Sequence, residues 1–145
     1  MTLPAADPGG DPARISIGRM VEFGDIDKSG HYHNSCVIRW LEAAEAILHA
    51  RLGIAEQTFG LAPRVAVDLQ FKSRLSFMDE VTITLAVLHV GRSSVRYGLE
   101  VTHAGRVAAT GTVVTVYLPE GAEHAQPWPA AVRRSLREGG DRTTA

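Results

Sequence analysis

One long amphipathic segment, followed only by strand-like segments, constrains the fold of this chain more than any other feature. From Ser35 to Leu52, apolar residues recur at steps of three or four, the period of a helix with one buried face. Asn34 or Ser35 can cap its start, and Gly53 suits a left-handed ending. We therefore predict one long helix over 35–52.

Five other segments have the patterns of β-strands: 15–23, 65–72, 81–87, 95–101 and 107–118. Residues 65–72 alternate between apolar and polar, which predicts a half-buried strand. The connections between the last three segments are short, so those strands are expected to form an antiparallel meander. One helix against a whole sheet predicts an α+β fold, with an antiparallel sheet of about five strands wrapped around a long central helix.

The composition fits one globular domain. The 145 residues are 45% hydrophobic and 21% charged, with a formal net charge of −1, which leaves no basic field for nucleic acid. No apolar run reaches the ~20 residues of a membrane helix, and the single cysteine excludes an internal disulfide. We expect a cytoplasmic protein with a disordered tail at 1–13, a folded domain at 14–118, and a C-terminal extension with a short helix at 119–145.

Residues 21–45 contain the candidate catalytic side chains of the sequence: VEFGDIDKSGHYHNSCVIRWLEAAE. A strand ends near Asp25 and Asp27, a turn follows at Gly30, and the long helix begins just after it. A helix N-terminus presents unpaired backbone N–H groups and a partial positive charge, which can stabilise an anion. A carboxylate beside it can act as a general base or a nucleophile, so the pair suits acyl transfer.

Other interpretations of these residues remain open. The spacing D-x-D-x-S-G is that of a calcium loop, although Cys36 would stand where a glutamate ligand is required. His31 and His33 could bind a transition metal with Asp27 as a third ligand. The two aspartates could instead cap turns, a role that we favour for Asp25.

The remaining reactive side chains show no catalytic pattern. Cys36 lies in the first helical turn without a Ser-His-Asp or nucleophile-elbow pattern around it, so we expect a small buried residue. Four histidines fall in no motif and are expected to face solvent: His49, His89, His103 and His124. We expect no cofactor and no resident metal.

Residues 21–45 resemble the signature of the hotdog-fold acyl thioesterases of the 4-hydroxybenzoyl-CoA thioesterase-like family. In that signature a strand ends in F-G-D-x-D or Y-x-D-T-D, followed by a small residue, Gly, an aromatic or His pair, and a helix with R-W-L/F-E/D-A-A. Residues 71–81, FKSRLSFMDEV, are similar to the family's second motif, a strand leading through a loop into D-E/D-V. The resemblance implies a hotdog fold, in agreement with the predicted element order.

The resemblance also implies roles for individual residues. The family's catalytic carboxylate corresponds to Asp27, which would attack a thioester carbonyl directly or activate water. The backbone N–H that polarises the carbonyl corresponds to Asn34 or its neighbour His33. Gly30 would let the loop pass close to the thioester without a Cβ.

Family members dimerise by joining their sheets, so the resemblance implies a homo-oligomer, a dimer or a dimer of dimers. Each active site would lie at the interface, with the partner's strand around 65–71 lining the acyl pocket. CoA-dependent relatives often bind nucleotide phosphates with basic residues in the turn that here holds Arg92, Ser93, Ser94 and Arg96, although an ordinary hairpin turn with solvated arginines remains open. Because two arginines are few for coenzyme A, an acyl group on a carrier protein remains an alternative, and the acyl group could be aromatic or a polyketide.

Two other functions remain open for this fold. Hotdog dehydratases pair a catalytic histidine with an acid from the helix, but Glu42 and Glu45 lie far along the helix from His31 and His33. A non-catalytic protein that only binds acyl thioesters would keep the fold without turnover. Intact Asp27 favours the hydrolase.

Overall fold

The computed structural model describes residues 10–144 of the chain. In chain order the elements are β1 (Arg14–Met20), a 3₁₀ turn (Phe23–Asp25), α1 (Asn34–Leu52), α2 (Ala55–Thr58), β2 (Arg64–Phe71), β3 (Glu80–Val90), β4 (Ser94–His103), β5 (Arg106–Val116) and α3 (Ala130–Glu138). The five strands form one sheet in the order β1-β3-β4-β5-β2, and all neighbours are antiparallel. The predicted α+β class and the meander of β3, β4 and β5 are confirmed.

Helix α1 packs across the sheet over β1 and β3. Its buried residues include Val37, Leu41, Ala44 and Leu48, which follow the helical period read from the sequence. Gly53 ends the helix in the left-handed conformation, with φ 75°, as predicted. The helix therefore leaves the far side of the sheet, where β2 lies, largely uncovered.

Two strand predictions differ from the structure. The first strand ends at Met20, because the Asp25 carboxylate accepts the Glu22 N–H at 2.8 Å and closes a 3₁₀ turn there. The prediction that β2 is half-buried is wrong for the single chain, in which Val65 is 59% and Val67 43% exposed. Strand β2 is an edge strand that meets α1 at Arg64, which pairs with Glu45, and most of its remaining residues are exposed.

The C-terminal segment packs onto the domain. Trp128, Val132 and Leu136 are buried, and helix α3 contacts β3. The N–H of Ala13, itself buried, donates to the Leu136 carbonyl at 3.0 Å. Residues 1–9 of the expected N-terminal tail lie outside the described residues.

The antiparallel register gives the sheet two distinct ends. We call the end at Phe71 and Glu80, where β1 finishes, the loop end, and the end at Arg64 and Val90 the turn end. Strand β3 separates the two ends by roughly 33 Å at ~3.3 Å per residue. None of the helices between residues 10 and 144 has the length and apolar character needed to span a bilayer.

Candidate active site

The Asp27 loop lies at the loop end of the sheet, between the 3₁₀ turn and helix α1. An isolated bridge pairs Ile26 with Tyr32, and the Asp27 N–H donates to the His31 carbonyl at 3.0 Å. Gly30 closes the loop with φ 85°, a conformation that disfavours residues with a Cβ. No atom lies within 4 Å of where a Gly30 Cβ would stand, so backbone conformation explains this glycine within the single chain.

Asp25 has a structural role. Its side chain is 3% exposed, accepts the Glu22 N–H, and forms an ion pair with Arg39 of helix α1. These contacts use both carboxylate oxygens, as we expected for a capping residue. Asp25 therefore anchors the loop to the helix.

Asp27, in contrast, is exposed to solvent. One carboxylate oxygen, Oδ1, accepts hydrogen bonds from the Ser29 N–H (2.8 Å) and from the Ser29 hydroxyl. These bonds, helped by the nearby His33 and His31, hold the pKa of Asp27 below its ordinary value of 3.8. The side chain is thus ionised at neutral pH, and its Oδ2 accepts no hydrogen bond from residues 10–144.

The start of helix α1 leaves one of the two predicted N–H groups available. The His33 N–H donates to the Asp25 carbonyl at 2.7 Å, so it is not free to hold a ligand. The N–H of Asn34, the first helical residue, has no acceptor within the described part of the chain. Of the two N–H groups that the resemblance implied, that of Asn34 is the one without an acceptor in residues 10–144.

An open hollow of about 370 Å³ lies beside this helix start. Its wall includes Ser29, His31, Tyr32 and Asn34 from the loop and helix, and residues 71–74 from the end of β2. Asp27 is not part of the wall but is joined to it through Ser29. The Tyr32 hydroxyl, which donates to backbone carbonyls near 3.2 Å, fixes this wall against the sheet.

His31 contributes a polar atom that the sequence did not single out for catalysis. Its Nδ1 is shielded from solvent and has no hydrogen-bond partner among the described residues. His31 also lines the hollow, in the same wall as Asn34.

A larger hollow of about 650 Å³ lies near the turn end, between α1, α2 and the start of β2. Its wall is mainly apolar, with Phe59, Ala62, Pro63 and Leu118 among its residues. The wall also contains an ion pair, in which Arg64 donates to Glu45 Oε1 at 2.8 Å. Burial raises the pKa of Glu45, and the charge of Arg64 opposes that effect.

His49 lies at the base of this larger hollow and is buried, so the expectation that it faces solvent is wrong. Its ring nitrogens are each 2.7 Å from a hydroxyl, those of Thr58 and Tyr97. Burial, helped by Arg64, lowers the pKa of His49 to about 4. His49 is therefore a neutral core residue at physiological pH.

Cys36 is fully buried, as predicted, and burial raises the pKa of its thiol to about 12. It is protonated at neutral pH and is no nucleophile. Within residues 10–144, no cluster of three or more His, Cys, Asp or Glu side chains is arranged to hold a metal ion.

The turn predicted to bind nucleotide phosphates lies at the turn end. Arg92 and Arg96 are exposed, whereas Ser93 and Ser94 use their carbonyls to accept N–H groups from Tyr117 and Trp128. In one protomer the length of the sheet separates this turn from Asp27. The structure therefore brings Asp27, Gly30, His33 and Asn34 together but not the arginine turn.

Comparisons with known proteins agree with this architecture. The family model of the thioesterase-like superfamily matches residues 21–136. A predicted thioesterase from Bacillus stearothermophilus has a TM-score of 0.80 at 20% identity, covering 92% of this chain and 100% of that chain. A Thermus thermophilus thioesterase complexed with coenzyme A and Zn has a TM-score of 0.74 at 29% identity, covering 88% and 93%. A gentisyl-coenzyme A thioesterase has a TM-score of 0.73 at 26% identity, covering 83% and 98%. No curated protein sequence matches significantly.

Proposed function

The chain belongs to the thioesterase-like superfamily, and we propose that it hydrolyses acyl-CoA thioesters with Asp27 and the N-terminus of helix α1. The family and its solved relatives support thioester hydrolysis as the general reaction. One observation carries the assignment of residues: the ionised Asp27 and the unpaired Asn34 N–H belong to one short segment beside an open hollow.

Two routes to hydrolysis are open to this pair. Asp27 either attacks the thioester carbonyl carbon, giving an acyl-aspartyl anhydride that water then cleaves, or takes a proton from a water that attacks directly. In both routes negative charge develops on the carbonyl oxygen, where the Asn34 N–H can donate to it. The C–S bond then breaks, and the thiolate leaves and is protonated.

The active form proposed here is a homodimer, or a dimer of dimers, joined through β2. Strand β2 is an unpaired edge with exposed apolar side chains, including Val65, Val67 and Phe71. Such an edge favours addition of another strand. If two copies of β2 pair antiparallel about a two-fold axis, the loop end of one protomer lies beside the turn end of the other.

This pairing completes the site. The Asp27 loop of one protomer would lie next to the larger hollow of its partner, which supplies an apolar space for the acyl group. The partner's β2 would form one wall of that space. Burial by the partner also explains how an Asp27 that is exposed in the single chain could work away from bulk water.

The same pairing places the partner's arginine turn at the end of the paired sheets where Asp27 lies. We propose that Arg92 and Arg96, with Ser93 and Ser94 between them, contact phosphates of coenzyme A. The related Thermus thermophilus thioesterase was solved with coenzyme A, which supports this choice of thiol carrier.

A thiol-release screen tests the function. The protein is mixed with coenzyme A thioesters of short, long and aromatic acyl groups, and free thiol is measured against time. Release of thiol from at least one substrate supports hydrolysis. Formation of an enoyl thioester from a 3-hydroxyacyl substrate would identify a dehydratase instead. If no substrate releases thiol but acyl-CoA still binds, the protein is a binding protein rather than a hydrolase.

A further inference from the structure

Hydrogen bonds join the segment of helix α3 to the β3–β4 turn at the turn end of the sheet. The Trp128 N–H donates to the Arg92 carbonyl at 2.9 Å, and its indole N–H donates to the Ser94 carbonyl at 3.0 Å. One turn further on, Arg133 Nε donates to the Gly91 carbonyl at 3.3 Å. The C-terminal helix is thus fixed against the turn that carries Arg92.

The helix and the turn together concentrate positive charge in a chain whose formal net charge is −1. Helix α3 adds Arg133, Arg134 and Arg137 to the two arginines of the turn. Within residues 10–144, none of these five guanidinium groups forms a salt bridge with a carboxylate. We call them together the arginine surface. Its charge is available to an anionic ligand.

The part of the arginine surface that lies on helix α3 borders two hollows. One hollow of about 270 Å³ is lined by Ala130, Arg133, Arg134, Arg137 and Glu138. A second, of about 150 Å³, lies between α3 and the end of β3, with Arg133 and Arg137 again in its wall. Arg133 and Arg137 line both hollows, and hollows this small suit compact phosphate groups better than the broad surface of a protein.

We propose that α3 extends the nucleotide site: Arg133 and Arg137, with Arg92 and Arg96, bind the phosphates of coenzyme A, so the substrate is a free acyl-CoA rather than an acyl group on a carrier protein. This rests on the proposed function and on the β2 pairing that brings the surface near the partner's Asp27. Coenzyme A has a 3′-phosphate and a diphosphate, whereas a carrier-bound arm has a single phosphate. A site with this many arginines that pair with no carboxylate of residues 10–144 matches the former.

Arginine suits such a site because its planar guanidinium donates to two phosphate oxygens at once. Fixing Arg133 through its Nε leaves its terminal nitrogens for the ligand. Because the groups are near the surface, salt should weaken the interaction over a Debye length of about 8 Å at physiological ionic strength.

The test compares one acyl group on three carriers: coenzyme A, pantetheine, which has no phosphate, and an acyl carrier protein. In Arg133→Gln/Arg137→Gln, KM for acyl-CoA is expected to rise by about tenfold, which corresponds to ~1.4 kcal/mol of binding free energy. KM for acyl-pantetheine should stay within about twofold, since it lacks the phosphates that the arginines would contact. Arg19→Gln, an exposed arginine at the loop end of edge strand β1, is the matched control and should change neither KM.

Binding of adenosine 3′,5′-bisphosphate, measured by calorimetry, separates this inference from hydrolysis. The wild type should bind it, more weakly as salt increases, and the double variant should lose that binding. If the bisphosphate binds but no thioester is hydrolysed, the proposed function is wrong and the nucleotide site is supported. If acyl-CoA and acyl-pantetheine give equal kcat/KM and the bisphosphate does not bind, the inference is wrong. The inference would also be wrong if the wild type preferred the substrate on the acyl carrier protein and the double variant lost that preference. The arginines would then bind the carrier protein instead.

Discussion

Asp25 and Arg39 form an ion pair that ties the loop before helix α1 to the second turn of that helix. The acid is nearly buried, at 3% exposed, and the guanidinium is 58% exposed. Two residues further on, Asp27 forms no ion pair with residues 10–144, and its exposed carboxylate accepts hydrogen bonds from Ser29. The two aspartates of one short motif therefore have different tasks: the first holds the loop in position, and the second presents a free carboxylate oxygen.

The first prediction concerns this difference. Asp27→Asn is expected to lower kcat for thioester hydrolysis by about a hundredfold or more, because the amide can act neither as nucleophile nor as base. Its thermal midpoint should match the wild type, since Asp27 is exposed. Asp25→Asn is the matched control and should mainly lower the midpoint. Near-full activity of Asp27→Asn would show that another group performs the chemistry.

The second prediction concerns pH. Hydrogen bonds from Ser29 stabilise the charged form of Asp27 and lower its pKa, so hydrolysis should persist to low pH and fall only as the carboxylate is protonated. Ser29→Ala removes the hydroxyl donor, and the pKa of Asp27 should rise. The acid limb of the kcat/KM profile should therefore move to higher pH. An unchanged limb would mean that Asp27 does not control it.

The third prediction isolates one backbone N–H. Asn34→Pro removes the proposed oxyanion donor at the first helical position, where proline is tolerated. His33 has φ −72° and ψ 145°, which a following proline accepts. We expect kcat to fall by roughly 10²–10³, the usual effect of losing one oxyanion donor. Asn34→Ala keeps the N–H and should retain activity. Equal losses in both variants would implicate the side chain instead.

The fourth prediction concerns the dimer. Val67→Lys places a charge in the middle of the exposed edge strand β2, where it should oppose strand pairing. Light scattering should show a dimer or larger oligomer for the wild type and a monomer with little activity for the variant. Met20→Lys, on the other edge of the sheet, is the control and should leave the oligomer intact. A monomeric, active wild type would contradict the composite site.

The fifth prediction concerns stability. The folded-state pKa of His49 is about 4, below its ordinary value of 6.5, because the neutral ring is buried between Thr58 and Tyr97. The neutral ring contributes stability above pH 6.5 that is lost as pH falls towards 4, on the order of 3 kcal/mol. Urea unfolding across this range should show the loss in the wild type and less of it in His49→Gln. Parallel curves for the two proteins would assign the pH dependence to other groups.

The parts of the fold that were predictable depend on local patterns. Residues close together in sequence determine the apolar period of α1, the left-handed Gly53 and the short turns between β3, β4 and β5. The exposed face of β2 was not predictable, because alternation shows which side of a strand is apolar and not whether anything covers it. In the proposed dimer that cover comes from a second copy of the chain.

The site was predictable only in part, for a similar reason. The resemblance implied Asp27 and the N–H of either His33 or Asn34, but a motif does not show that the His33 N–H is already taken by the Asp25 carbonyl. His49 lies off the apolar stripe of α1, yet it is buried because Tyr97 reaches it from a strand distant in sequence. The arginines of α3 were visible in the sequence, but their proximity to Arg92 depends on Trp128 docking beneath the turn.

The unpaired edge of β2 also has a genetic consequence. In the proposed dimer each site takes its carboxylate from one copy and its arginine surface from the other. Two copies with different lesions, one lacking Asp27 and one lacking Arg137, would together form one site that has both groups and one that has neither. Alleles of a single gene would then complement each other in the same cell, although each alone abolishes or weakens the enzyme.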